Sequence, residues 1–344
     1  MKFGLFDHVD QNDRPLAKQF DERLQFVAAA DEAGFYAYQV AEHHGTPLNM
    51  VPHPGTYLGA VARATKQIRL GALVFLLPLY TPLRLLEELA ILDHLSHGRL
   101  DIGIGRGVSP FELNFHKVKH EQSRDIFLDA YDCLLKGFTE DELNHDGPFF
   151  SYSKVPMILK PLQKPYPPIW YASSAEFGSR WAGERGLHFS TLGSIENAKK
   201  NIGAYKEAYA KRGTPAHPKP EISGGLVLAA NRQLVVAETL EEARKIAKPA
   251  HELHHEKIMW LQNRNVMTIN YTQNIVAGFD DAVKAGSVIV GTPDTVRADI
   301  ERQVKAIGIN HMNFSMFFGN MTLDQALRSQ RLFAQEVMPK LAAL

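Results

Sequence analysis

Short apolar runs alternate with amphipathic stretches along most of the chain, and turn residues separate them. The runs predict strands over 2–6, 35–40, 68–76, 99–104, 169–172, 187–190, 222–230 and 311–317. Between them, apolar residues recur at helical spacing, as in Phe20, Leu24, Val27 and Ala28. The helices so predicted cover 16–33, 55–65, 82–95, 122–138, 176–185, 195–212, 240–263, 292–307 and 323–341. Gly34, Gly98 and Gly213 stand where helices stop, and Pro293 suits a first helical turn. Repeated strand–helix units joined by short turns favour a parallel sheet with helical crossovers. Eight strands with at least eight helices favour a closed (β/α)8 barrel, the TIM barrel, over an open dinucleotide-binding sheet of about six strands. The expected fold is therefore α/β, with one barrel domain over residues 1–344. Insertions are expected at about 139–168 and 265–286, where no period is clear. The first is polar and Pro-rich and should cover part of the barrel mouth or its lower rim.

Charge and cysteine content narrow the class. With 38 basic and 38 acidic residues the net charge is zero, which argues against a nucleic-acid partner. Cys133 is the sole cysteine, so no internal disulfide exists; its place on a helix predicts a core thiol. The N-terminal MKFGLFDHVDQNDRP turns polar too early for a signal peptide. The most apolar run, LGALVFLLPL, is too short to span a bilayer and contains Pro78. A cytoplasmic protein away from membranes is expected.

Three clusters carry candidate chemistry. Glu42-His43-His44 follows the second strand, at the end where barrels build active sites. Adjacent residues on an extended chain face opposite ways, so one imidazole can meet a pocket while the other anchors the loop. Arg106, between Gly105 and Gly107 after the fourth strand, could fork onto phosphate oxygens. Gly103 and Gly105 would let the backbone approach a bulky ligand. Ser173 and Ser174 follow the fifth strand and precede a helix, where hydroxyls and unpaired N–H groups suit an anion; a plain serine N-cap is the competing reading. Asp93 and Arg99 could pair across a helix-to-strand turn. A metal site would need a third ligand beside the Glu42–His44 group, with His8 and His53 as candidates. His251-Glu252-x-x-His255 matches a zinc-protease spacing, yet it lies in a helix crowded with lysine and glutamate, so a solvated face is expected and no metal is assigned.

These residues resemble the bacterial luciferase-like flavin monooxygenases. The likeness rests on Glu42-His43-His44, on Leu70 to Arg84 with Leu77-Pro78 and Pro82-x-Arg84, and on Glu87-Glu88. It continues through Leu92-Asp93-x-Leu95-Ser96-x-Gly98-Arg99 and Gly103-x-Gly105-Arg106-Gly107. Later pieces agree too: Pro168 to Gly186 and Val290-Gly291-Thr292-Pro293. The resemblance implies a (β/α)8 barrel that takes reduced FMN from a separate reductase and reacts it with O2. A flavin C4a-peroxide then oxidises a small organic substrate such as an aldehyde, sulfonate, ketone or terpene.

It further implies His43 as the catalytic residue, with Glu42 and His44 in support. Arg106, Ser173 and Ser174 would hold the cofactor phosphate, and Leu73 and Val74 would pass behind the flavin ring, joined by a cis bond. Gly105 replaces the family's reactive cysteine, which would leave room for a bulkier substrate, and Ser173 replaces a glutamate; both speak against light emission. Alternatives on the same fold are an oxidoreductase using coenzyme F420 and a non-catalytic flavin-binding protein; a metal hydrolase would need a similar barrel. Relatives commonly form homodimers through early helices, where Leu85, Leu89 and Leu92 could serve or could simply face the barrel.

Overall fold

The computed structural model describes residues 1–214, 225–265 and 274–344. Eleven strands occur among them: β1 (Lys2–Asp7), β2 (Ala37–Val40), β3 (Arg69–Leu76), β4 (Leu100–Gly105), β5 (Glu142–Asp146), β6 (Ser151–Pro156), β7 (Ile169–Ala172), β8 (His188–Thr191), β9 (Leu228–Val236), β10 (Val288–Gly291) and β11 (His311–Ser315). Eight parallel strands close a ring in the order β1, β2, β3, β4, β7, β8, β9, β11. Closure runs through Leu5 opposite Phe314 on one side and Phe189 opposite Leu228 on the other. The expected TIM barrel is the observed fold.

Three elements depart from the pattern read in the sequence. Residues 139–168 contain the antiparallel hairpin β5–β6, in which Leu143 and His145 are the buried positions. Too little apolar alternation exists there to announce a strand. The hairpin docks through His145 Nε2 to Asp129 Oδ1 at 2.7 Å, and the segment after it lies at the lower rim, where Gln163 bonds the Leu100 carbonyl at the start of β4. The seventh barrel strand is Leu228–Val236 rather than 222–230, and residues 222–224 lie outside the described part of the chain. A helix, Phe279–Ala285, occupies the second expected insertion, and β10 follows it beside the C-terminal half of β9. The rest of that insertion, 266–273, also lies outside the described residues.

Strand alternation divides the barrel into two chemistries. Phe3, Leu5, Ile102, Phe189 and Phe314 are buried in the main apolar core shared with the helices. Alternate positions form a polar floor inside the ring. His311 Nε2 lies 2.6 Å from Asn313 Oδ1, Asn313 donates to Gln39 at 2.8 Å, and Arg69 Nε donates to Asp101 at 2.9 Å. Burial, followed by the charges of Arg69 and Lys2, pushes His188 down to about 3. Asp101 thus faces a polar layer, paired with Arg69. The expected Asp93–Arg99 pair does not form: Asp93 accepts from the Gln163 side chain at 2.7 Å. Arg99 donates instead to the carbonyls of Ala62, Thr65 and Ile68 at 2.8, 3.1 and 2.7 Å. It thereby satisfies acceptors left over at the end of the helix Pro54–Ala64.

Of two further expectations, the interface role of the early-helix leucines changes and the core thiol holds. Leu85, Leu89 and Leu92 are buried in the main core; Ile91 and Leu95 are the exposed apolar positions of the helix Pro82–Leu95. Cys133 is fully buried, and burial pushes its thiol up to about 12. Among the described residues, no helix is long and apolar enough to cross a membrane.

Candidate active site

A cavity of about 570 Å³ opens at the C-terminal ends of the barrel strands. His43, Leu73, Val74, Arg106, Ser173 and Ser174 all line it, as does Glu42. His44 does not. The ends of β1, β2, β3, β4, β7, β8 and β9 supply the walls, and the helix Leu240–Arg264 closes one side.

Each of the two adjacent histidines has its own carboxylate. His43 Nδ1 lies 3.1 Å from Glu112 Oε1, and Glu112 also accepts the His44 backbone N–H at 2.9 Å. Burial alone would lower His43, but the Glu112 charge and hydrogen bond, with Glu42 behind them, hold it above the usual imidazole range. Burial would likewise raise Glu112, yet His43 and the His44 N–H keep its carboxyl below the usual range. His44 Nε2 meets Glu42 Oε1 at 2.9 Å. The other Glu42 oxygen accepts Leu76 N at 3.1 Å and Tyr80 OH at 2.9 Å. Glu42 therefore ties the exit of β2 to the exit of β3, while Glu112 serves the cavity. His53 stays near His44 as a ring contact at 6.1 Å.

Glu112 was not singled out in the sequence. It sits on the short helix Pro110–Phe115, where Ser109 caps and accepts the Glu112 N–H. Ser109-Pro110-x-Glu112 is the serine, proline and glutamate signature of a helix start. That signal was present, but its helix is too short to show a period.

The wall beneath is built from β3 and β4. The Leu73–Val74 peptide bond is cis, and the pairing of β3 with β4 is irregular between Ala72 and Phe75. The glycines of β4 make room for this wall, and Gly105 also lines the cavity. A Cβ on Gly103 would collide with the Ala72 carbonyl, and one on Gly105 with the Val74 side chain. The space at Gly105 is thus filled by Val74, not left for a bulkier substrate.

The far end of the cavity is cationic. Among the described residues Arg106 has no ion pair or hydrogen bond. A second arginine, Arg124, lines the same end and stacks over Phe177 at 4.1 Å. No motif in the sequence marks it. Ser173 Oγ bonds the Ala175 N–H at 3.1 Å, and Ser174 Oγ accepts from Asn274 at 3.2 Å. The helix Glu176–Arg185 has Ala175 at its N-cap with no side-chain cap, so the plain serine N-cap is not what forms. The first-turn N–H groups keep their partial positive charge beside Arg106 and the two serines.

The helix over the cavity departs from expectation. His251 and His254 are buried and, with His255, face the cavity instead of solvent. His251 Nδ1 lies 2.6 Å from Gln233 Oε1 and Nε2 lies 3.2 Å from the Ala277 carbonyl, so both ring nitrogens are engaged. The solvated face is the other one, with Glu252 and Glu256. His8 reaches the cavity from the end of β1 and stacks on His43 at 5.7 Å.

A family model described as luciferase-like monooxygenase matches residues 1–311. The chain belongs to that family. It is an enzyme, an oxidoreductase of the monooxygenase kind. An uncharacterised protein of Sinorhizobium fredii is 33% identical over 99% of this chain and 97% of its own length. The oxygenase component of a flavin-dependent trigonelline monooxygenase from Acinetobacter baylyi is 28% identical, over 98% and 95%. Among solved structures, the monooxygenase RslO1 of Streptomyces bottropensis has a TM-score of 0.87 at 26% identity, covering 99% of both chains. The coenzyme F420 dependent tetrahydromethanopterin reductase of Methanopyrus kandleri shares the fold, with a TM-score of 0.75 at 16% identity over 98% and 99%.

Proposed function

We propose that this luciferase-like monooxygenase uses reduced FMN and O2 to oxidise a small organic substrate in the cavity. The observation that carries this is the division of the cavity into two ends. Arg106, Arg124, Ser173, Ser174 and the first turn of the helix Glu176–Arg185 offer cations, hydroxyls and N–H groups, the donor set a phosphate monoester needs. Leu73 and Val74 give an apolar wall suited to a flat ring. His43 stands at the other end with its Glu112 partner. Bound reduced FMN supplies the electrons with which O2 is activated. The surrounding apolar wall keeps water from that reaction. His43 Nδ1 is taken by Glu112, so the proton His43 can offer or receive is at Nε2.

The Acinetobacter relative is flavin-dependent and is named as an oxygenase component, which supports FMN and a separate reductase as the supplier. The shared fold of the F420-dependent reductase makes that coenzyme the control. The test mixes the chain with each reduced cofactor, adds O2, and measures hydrogen peroxide release with and without aldehydes, ketones and sulfonates. Suppression of peroxide by one class with FMN supports the proposal. Hydride transfer with F420 and no reaction with FMN overturns it.

We also infer a homodimer through the outer face of the helix Pro82–Leu95. Ile91 and Leu95 are exposed there, as are Ile158, Leu159 and Leu162 in the segment that the Lys160 carbonyl ties to His94. Light scattering of Ile91→Glu should then show a monomer; a monomeric wild type refutes the dimer.

A further inference from the structure

Around His8, which stacks on His43, the cavity carries a further group of lining side chains. Phe6, Leu48, Ile258 and Leu261 are apolar members of that group. Its polar members are His8 and His254, whose rings lie 5.0 Å apart, with Phe6 edge-on to His8 at 4.9 Å. His254 is backed by Asp10 at 3.5 Å. Asp10 in turn is held by Lys257 at 2.9 Å, by Arg23 at 3.5 Å and by the Gly319 N–H at 3.0 Å. His8 Nδ1 is buried without a partner, which leaves Nε2 as the nitrogen a ligand can reach.

The charges beside His8 are already matched. Lys257 is bound to Asp10 and to the Gln11 carbonyl, and Glu112 to His43. Arg232, the remaining arginine on the lining, donates to Gln303 and to the Gly193 carbonyl, neither of them a counterion, and its Nη2 is buried without a hydrogen bond. An ionic group brought against His8 would lose water beside charges that are already paired. Burial, then the charges of His254 and His43, keep His8 well below the usual imidazole range. It is neutral at neutral pH, with one N–H and one lone pair.

We propose that His8, backed by His254, is the hydrogen-bonding anchor of the substrate compartment, which takes an apolar molecule whose polar function is uncharged. The proposal rests on the monooxygenase reading of the same cavity and adds a specificity residue to it. His8 entered the sequence analysis as a possible metal ligand; among the described residues no group of histidine and carboxylate side chains is placed to hold a metal.

The test is titration calorimetry of the whole chain with 2-octanone, octanoate and octyltrimethylammonium, each with and without oxidised FMN. The wild type is expected to bind the ketone about tenfold or more tightly than either ion, since one neutral hydrogen bond and one desolvated ion are at stake. His8→Leu should lose about tenfold for the ketone, and His8→Asn should recover most of it. FMN affinity should stay unchanged in both. An ion bound as tightly as the ketone, no binding of any of the three, or a His8→Leu chain that binds the ketone like the wild type overturns the proposal. The wild-type comparison stands even if a variant does not fold. Failure to bind FMN would count against the monooxygenase reading instead, because the three ligands are also titrated without it.

Discussion

His43 and His44 are neighbours in sequence, each paired with a glutamate, and the two pairs do different work. Glu42 spends both oxygens on the fold, taking His44, the Leu76 N–H and the Tyr80 hydroxyl. Glu112 takes His43 and the His44 N–H, and its imidazole faces the cavity. What separates the pairs is the direction of the extended chain and the number of other groups each carboxylate must satisfy. The same residue types yield a structural staple on one face and a candidate proton carrier on the other.

The largest effect expected is on turnover. His43→Asn should lower substrate-coupled turnover by about 10²–10⁴, the usual share of a positioned acid or base, while FMN still binds. Steady-state kinetics with a flavin reductase would measure it; unchanged turnover would end the contrast between the two histidines. Next comes stability. Glu42→Ala strands a buried N–H, a hydroxyl and an imidazole, so it should cost about 2–4 kcal/mol in urea unfolding. A loss under about 1 kcal/mol would mean that Glu42 is no staple.

Arg106→Ala tests the opposite end of the cavity. Removal of one charge-assisted contact to phosphate should weaken FMN about tenfold to a hundredfold, read by quenching of flavin fluorescence. An unchanged affinity would shift the phosphate site to Arg124. The smallest effect concerns pH. His43 is raised in the folded chain, so its pair with Glu112 stabilises fully below the unfolded imidazole value of about 6.5. That contribution fades as pH rises through the folded value. Glu112→Gln should remove this part of the slope in urea midpoints between mildly acid and mildly alkaline pH, and move the His43 titration downward. The same slope in both chains would show the pair to be uncoupled.

The barrel was legible because short apolar runs alternate with amphipathic helices all round the ring, and even the seventh strand was met with shifted bounds. The missing parts have physical causes. Val288–Gly291 adds to β9 outside the ring, where no alternation of barrel strand and helix marks it, and the hairpin β5–β6 buries little. At the site, residues on strand exits were legible because position along a barrel strand implies the active face. Glu112 and Arg124 were not, since each comes from a helix and meets the cavity only through tertiary packing. The His251–Ile258 face was misread for a related reason: Glu252 and Glu256 mark a solvated side, while His251, His254 and His255 on the other side face the cavity. Gly105 shows that the space left by a missing side chain goes to whatever neighbour fills it, here Val74.

The most direct test of the division between the two histidines is stopped-flow reoxidation by O2 of reduced FMN bound to His43→Asn and to His44→Asn. The expected result is a reoxidation rate changed about tenfold or more in His43→Asn with the smaller loss of thermal stability, and a near wild-type rate in His44→Asn with the larger drop in melting temperature. Equal rates in both variants, or a rate change confined to His44→Asn, would contradict it.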